Sequence, residues 1–270
     1  MKYVGLQEQI TSNNRKSIFL LIGFPGVLLG AVYAVLMFAS YNETGGGINT
    51  NMANDMFIEA MPFVFIGTGI WFLIAYWGHS AMIDYASGSK TLERKENMRV
   101  YNLTENLCMG VGMKMPKLKI IETEALNAFA SGLNEKNYSV TLTRGIINTL
   151  DDDELEGVIA HELMHIRNKD VKLLVISIIF VGIFSLIIQI AFRSLLYGSM
   201  TRSRRKDGKG GGGLIIVILV VSLVAYLISL LFKFALSRKR EFMADAGAAE
   251  MTRNPLALAN ALRKISGNSK

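Results

Sequence analysis

Cysteine is almost absent. Cys108 stands alone in 270 residues, which excludes an intrachain disulfide framework and a cysteine-rich zinc site. Its ordinary role is that of a small buried apolar residue on a helix face. Histidine is nearly as scarce, with three copies, His79, His161 and His165. Charge is thin too: 19% of the residues are charged against 51% hydrophobic, and mean hydropathy is positive at +0.33. That balance excludes an ordinary soluble enzyme.

What fills the chain instead is long apolar blocks: Ile18–Ala39, Ala60–Trp77, Leu173–Phe192 and Leu214–Phe232. Each has about the length needed to cross a hydrocarbon core of roughly 30 Å. One such block could be a buried core helix; four in a chain of this size make an integral membrane protein. The first is too long for a signal peptide and reads as an uncleaved anchor. A net charge of +7 could suggest nucleic acid, but much of the positive charge flanks apolar blocks, as at Arg15-Lys16, Arg202 to Lys209 and Arg238-Lys239-Arg240. Anionic lipid headgroups suit that arrangement better, so the bilayer is the expected partner and nucleic acid is not. Trp71, Tyr76 and Trp77 fit an interfacial aromatic belt, and His79 beside them reads as an anchor rather than a ligand.

Lys2, Arg15 and Lys16 precede the first block, whereas the connection Ser40–Glu59 is acidic and holds no basic residue. The positive-inside rule then puts the N-terminus in the cytoplasm and the Gly45-Gly46-Gly47 loop outside. The basic stretch Arg193–Gly213 conflicts with this. Full crossing by the third and fourth blocks places it outside, while a shallow hairpin keeps it cytoplasmic; block length favours full crossing. Four parts are expected: a transmembrane hairpin over 1–78, a water-exposed α+β domain over 79–170, a second apolar hairpin over 171–236, and C-terminal helices over 237–270.

Within the polar part, Leu92–Met109 reads as an amphipathic helix, with Val100, Leu103 and Leu107 on one face. Pro116 opens an extended stretch, Lys117–Ile121. Asn127–Leu133 and Tyr138–Thr143 look like a strand pair around a turn. A helix over Arg144–Leu150 leads to Asp151-Asp152-Asp153, any of which could cap the next helix, Asp153–Asn168.

That last helix carries His161-Glu162-Leu163-Met164-His165. Residues i and i+4 share a helix face, so both imidazoles can bind one metal ion, with Glu162 placed to act as general base on a water activated there. The plain alternative is an exposed face with two histidines and a solvated glutamate. A catalytic zinc usually takes three protein ligands. No histidine follows His165, so the third ligand must be a carboxylate or must be absent, and Glu241 in Glu241-Phe242-Met243-Ala244-Asp245 is the best candidate for one. Asp245, one helical turn on, would accept the second ring N–H of a ligand histidine. Read alone, this segment could equally be an interfacial helix whose glutamate pairs with Arg238 or Lys239.

The two motifs together, His161-Glu162-x-x-His165 and Arg240 to Asp245, closely resemble the HtpX family of membrane zinc metalloproteases, relatives of the CAAX prenyl endopeptidases. The match extends through Asn127-Ala128-Phe129-Ala130, through Asn168 and Asp170, and through the tail from Asn254-Pro255-Leu256 to Ile265. It implies a mainly helical integral membrane fold with a small β-sheet, four apolar helices and a cytosolic zincin-type (gluzincin) domain. It also implies one Zn²⁺ per chain and a multi-pass protein of the plasma (inner) membrane. Its substrates would be membrane or misfolded proteins, cleaved on the cytoplasmic side in protein quality control and the stress response. Asn127, Ala128, Phe129 and Ala130 would line the cleft on an edge strand that captures extended substrate by backbone pairing; for Phe129, buried strand packing competes. Two other functions share these features. Prenyl-protein processing uses the same site with a different substrate chamber. A non-catalytic membrane scaffold would have no need of Glu162.

Overall fold

The computed structural model describes residues 6–43, 47, 49–201 and 211–267. Lys2, the glycines at 45 and 46, and the basic run Arg202–Lys209, on which the sidedness argument draws, lie outside these. The chain order is α1 (Leu6–Glu43), α2 (Thr50–Ser87), β1 (Lys90–Thr91), α3 (Met98–Gly110), β2 (Lys117–Ile121), β3 (Ala128–Ser131), β4 (Ser139–Thr143), α4 (Arg144–Thr149), α5 (Asp152–Arg167), α6 (Asp170–Thr201), α7 (Gly211–Thr252) and α8 (Pro255–Gly267).

Stretches long and apolar enough to span a membrane occur in α1, α2, α6 and α7: Ile22–Tyr41, Thr50–Ser87, Asp170–Ser194 and Gly213–Phe232. The helices run beyond the apolar blocks because an apolar-to-polar change does not stop helical hydrogen bonding; a breaker must. Pro25 and Pro62 sit inside α1 and α2, as proline does in membrane helices. Residues 18–75 and 176–235 make one compact unit. Its centre is Leu28, Ile183, Phe184 and Ala225, with Trp71 packed alongside and donating its indole N–H to the Ile179 carbonyl at 3.0 Å. Phe24 stacks on Phe180, ring centroids 5.3 Å apart. Outside, Ile58, Phe63, Phe65, Ile66, Ile70 and Ile74 are each more than half exposed. A continuous apolar surface of that kind is stable against lipid, not water.

The second unit, residues 1–17, 76–175 and 236–270, holds the sheet and the remaining helices. Strand order is β1-β2-β4-β3, with β2 parallel to β4 and the outer pairings antiparallel. β4 is central and buried along its length; β3 is an edge. The expected strand pair and the stretch Lys117–Ile121 appear as β3, β4 and β2. The helix expected from Leu92 begins six residues later. Leu92 spends its N–H on the Leu118 carbonyl at 2.9 Å, extending the sheet, and Glu96 folds back onto the Glu93 N–H. Only Asn97, whose side chain accepts from the Val100 N–H, starts a helix.

α5 is fixed at its N-terminus by four consecutive acidic residues, each tied to something different. Asp151 and Glu154 form a reciprocal capping box. Asp152 pairs with Arg99 of α3, Asp153 accepts from Asn254 before α8, and Glu154 also pairs with Lys264 of α8. At the other end, Lys169 takes a left-handed φ of 62°, costly for a residue with a Cβ, and turns the chain directly into α6.

Gly145, in the first turn of α4, has no room for a side chain: a Cβ there would lie 2.2 Å from the Glu124 carbonyl oxygen, a backbone atom that cannot swing aside as a flexible side chain would. Gly145→Ala is expected to destabilise the protein by about 1–3 kcal/mol, whereas Gly110→Ala at the end of α3 meets open space and should be neutral or slightly stabilising. Thermal unfolding of the two variants in detergent checks this; equal melting temperatures would contradict it.

Candidate metal centre

His161 and His165 sit one turn apart on the inner face of α5, rings nearly perpendicular with centroids 4.8 Å apart. Their Nε2 atoms are 3.2 Å from each other. Glu241 comes from α7, the same helix whose earlier part is the fourth apolar stretch, and its Oε2 lies 3.5 Å from His161 Nε2 and 3.6 Å from His165 Nε2. The structure thus brings together, among the described residues, one group of three metal-capable donors, and it is this trio. A tetrahedral zinc with bonds of about 2.0–2.2 Å needs ligand atoms roughly 3.3–3.5 Å apart. The triangle of two imidazole nitrogens and one carboxylate oxygen has that size, so the residues present fit such an ion. The imidazoles are mostly covered and Glu241 is half exposed, which leaves the carboxylate side of the site the open one.

The other ring nitrogens face carboxylates. Asp170, first residue of α6, places Oδ2 3.1 Å from His165 Nδ1 and is itself paired with buried Arg240 of α7. Asp245 places Oδ1 2.9 Å from His161 Nδ1, at ion-pair distance but off the line of a well-aligned ring hydrogen bond. Sequence reasoning placed Asp245 in this role and noted Asp170 only as part of a family match. The signal for Asp170 was the short Asn168-Lys169 link after the motif, which returns the chain onto His165. Nothing in the sequence pointed to Arg240 as its partner.

Charges across the cluster are strongly coupled. Burial opposes a charge on His165, but hydrogen bonds to Asp170 and Glu241, with the nearby charges of Glu162 and Glu241, outweigh it and push the imidazole up to about 10. Hydrogen bonds from His161 and His165 hold the Glu241 carboxyl well below the usual carboxylate range. Glu162 is buried, and that burial raises its carboxyl, against the charges of the two histidines and a hydrogen bond from the Ala130 N–H.

Asn127 and Ala128 line a cavity together with His161 and Glu162. Pairing of Phe129 with Thr141, and of Asn127 with Thr143, turns those residues' backbone groups toward β4. Alternation then turns the groups of Ala128 and Ala130 to the free edge, beside the site. His79 is elsewhere: it is buried in α2, with its ring nitrogens against the Tyr76 carbonyl and the Ser80 hydroxyl.

Comparison with known proteins places the chain in one family. The sequence model of peptidase family M48 matches residues 94–268. A protease HtpX homolog of Bacteroides fragilis is 54% identical over 272 residues, covering 99% of this chain and 84% of the relative. One from Listeria monocytogenes is 37% identical over 275 residues, covering 98% and 85%. Among solved structures, the crystal structure of S. mikatae Ste24p is similar at a TM-score of 0.50 and 17% identity. That similarity takes in 96% of this chain and 61% of Ste24p, less than two thirds of the longer protein, and speaks for the fold alone. A membrane-spanning, mainly helical fold, a metal-sized donor triangle and relatives of nearly full coverage lead to one placement: the chain belongs to peptidase family M48, as an HtpX-type membrane metalloprotease.

Proposed function

We propose that this protein is a zinc-dependent endopeptidase of the plasma (inner) membrane that cleaves membrane or misfolded proteins at the cytoplasmic face, in protein quality control. The observation that carries the reading is the triangle of His161, His165 and Glu241 with buried Glu162 beside it and a free strand edge adjoining. The acidic stretch Ser40–Glu59 after the first apolar block and the basic residues before that block support the cytoplasmic placement.

In this mechanism His161, His165 and Glu241 hold the ion. Zinc so bound supplies Lewis acidity, polarising a peptide carbonyl and acidifying water. Asp170 fixes the ring orientation of His165, Asp245 faces the second ring nitrogen of His161, and Arg240 holds Asp170 in place. The outward backbone groups of Ala128 align an extended substrate, with Asn127 and Phe129 setting the strand that presents them. Glu162, kept in position by the Ala130 N–H, takes the proton of the attacking water and passes it to the leaving amine.

Two measurements test these roles on protein purified in detergent without zinc and then titrated with it. Glu162→Gln should bind one zinc per chain but lose about 10²–10⁴-fold in kcat on an unfolded membrane-protein substrate; undiminished cleavage would remove Glu162 from its role. Asp170→Asn should weaken zinc affinity by about 10–100-fold in chelator competition, and an unchanged affinity would leave Asp170 a purely structural residue. Faster cleavage of a prenylated C-terminal peptide than of the unfolded substrate would favour prenyl-protein processing instead.

A further inference from the structure

In the unit that carries the metal centre, ion pairs occupy Arg94, Arg99, Lys119, Arg144, Arg240 and Lys264. Arg167, Lys169 and Lys172 are exposed and have no acidic partner among the described residues. They bracket the point where α5 ends and the third apolar stretch, Asp170–Ser194 with mean hydropathy 2.9, begins. The acid between them, Asp170, is 5% exposed and turned inward, against His165 and Arg240. Three positive charges are thus left facing out where an apolar helix starts. Helix electrostatics and backbone preference do not account for them. Arg167 suits the C-terminal end of α5, but Lys172 sits in the first turn of α6, where the dipole disfavours a cation. Lys169 follows the C-cap Asn168 at a left-handed φ of 62°, a position that glycine or asparagine takes at less cost.

We propose that Arg167, Lys169 and Lys172 seat the phosphate of an anionic phospholipid whose acyl chains lie along the exposed apolar side chains at the start of α6. Charge complementarity names the headgroup: the three cations have no acid of their own, and a phosphodiester supplies one. The helix names the rest of the molecule. Leu174 is 44% exposed and opens a stretch of apolar residues, against which a soluble anion has nothing to bury but a lipid has its chains. Lysine and arginine suit this boundary, because their stems lie along apolar surface while the charged heads stay at headgroup level. Each such cation near an anionic membrane surface contributes about fivefold in affinity. Lysine at the left-handed position then has a use that glycine there would lack.

The test titrates the full chain, delipidated in detergent, with dioleoylphosphatidylglycerol or dioleoylphosphatidylcholine and counts bound lipid by native mass spectrometry. The phosphatidylglycerol should bind its tightest site about thirtyfold or more better than the phosphatidylcholine. Lys169→Gly removes a charge yet relieves the backbone, so it should lose about fivefold in affinity for phosphatidylglycerol while the melting temperature holds or rises. Arg167→Gln, Lys169→Gly and Lys172→Gln combined should lose about thirtyfold or more. Lys114→Gln, Lys117→Gln and Lys136→Gln combined remove the same charge from exposed lysines elsewhere in the unit and should keep the wild-type affinity. Equal losses in the two triple variants, or no loss in the first, overturn the seat. Should the first triple variant misfold, Lys169→Gly and Lys172→Gln decide singly. Displacement of the lipid by millimolar glycerol phosphate or by a hexaglutamate peptide also overturns it, and gives the patch to a soluble phosphate or to an acidic protein instead.

Discussion

The approach of three lone-pair donors, from two helices far apart in sequence, to within 3.2–3.6 Å of one another is the constraint on which the rest depends. Such a cluster is unfavourable without positive charge at its centre. Glu241, Asp170, Asp245 and Glu162 surround the two imidazoles, and Arg240 is paired with Asp170 behind them. The upward push on His165 and the downward one on Glu241 express the same demand: the fold has arranged negative charge around a space that suits a cation.

Everything around that space serves to hold α5. Its four leading acidic residues reach its own cap, α3, the approach to α8, and α8 itself, so the helix bearing the histidines is fixed far from the metal end. The left-handed Lys169 does the corresponding work at the near end, where it places Asp170 under His165. In the proposed reading, a substrate cleft would be bounded by α5 packed closely on α8 and by the unpaired edge of β3.

Much of this was legible in the residues, for reasons that differ from feature to feature. The four apolar helices announce themselves by composition. Strands β2, β3 and β4 follow from short apolar runs between turn residues, and the ends of α5 from its acidic cap. Local signals could not show that β2 runs parallel to β4, because that pairing skips over β3 in the chain. Nor could they show that Leu92 would give its N–H to a strand, since its spacing from Val100 and Leu103 suits a helix equally well. His161, Glu162 and His165 are readable because all three lie within five residues. Glu241 was reached by counting ligands and by family resemblance. Arg240 escaped because a buried ion pair between residues seventy positions apart leaves no local trace.

The distance along the chain between His165 and Glu241 has a consequence of its own. An ion gripped by both would close a loop of about 75 residues, one that contains the third and fourth apolar stretches. With a lone cysteine the chain has no covalent means of tying such a span. A metal held there would act as its cross-link, and the free energy of binding it would be shared between chemistry and architecture. Seen this way, chelation would disarm the enzyme and also loosen the junction between the beginning of its second apolar hairpin and the end, leaving the buried Asp170–Arg240 pair to hold it.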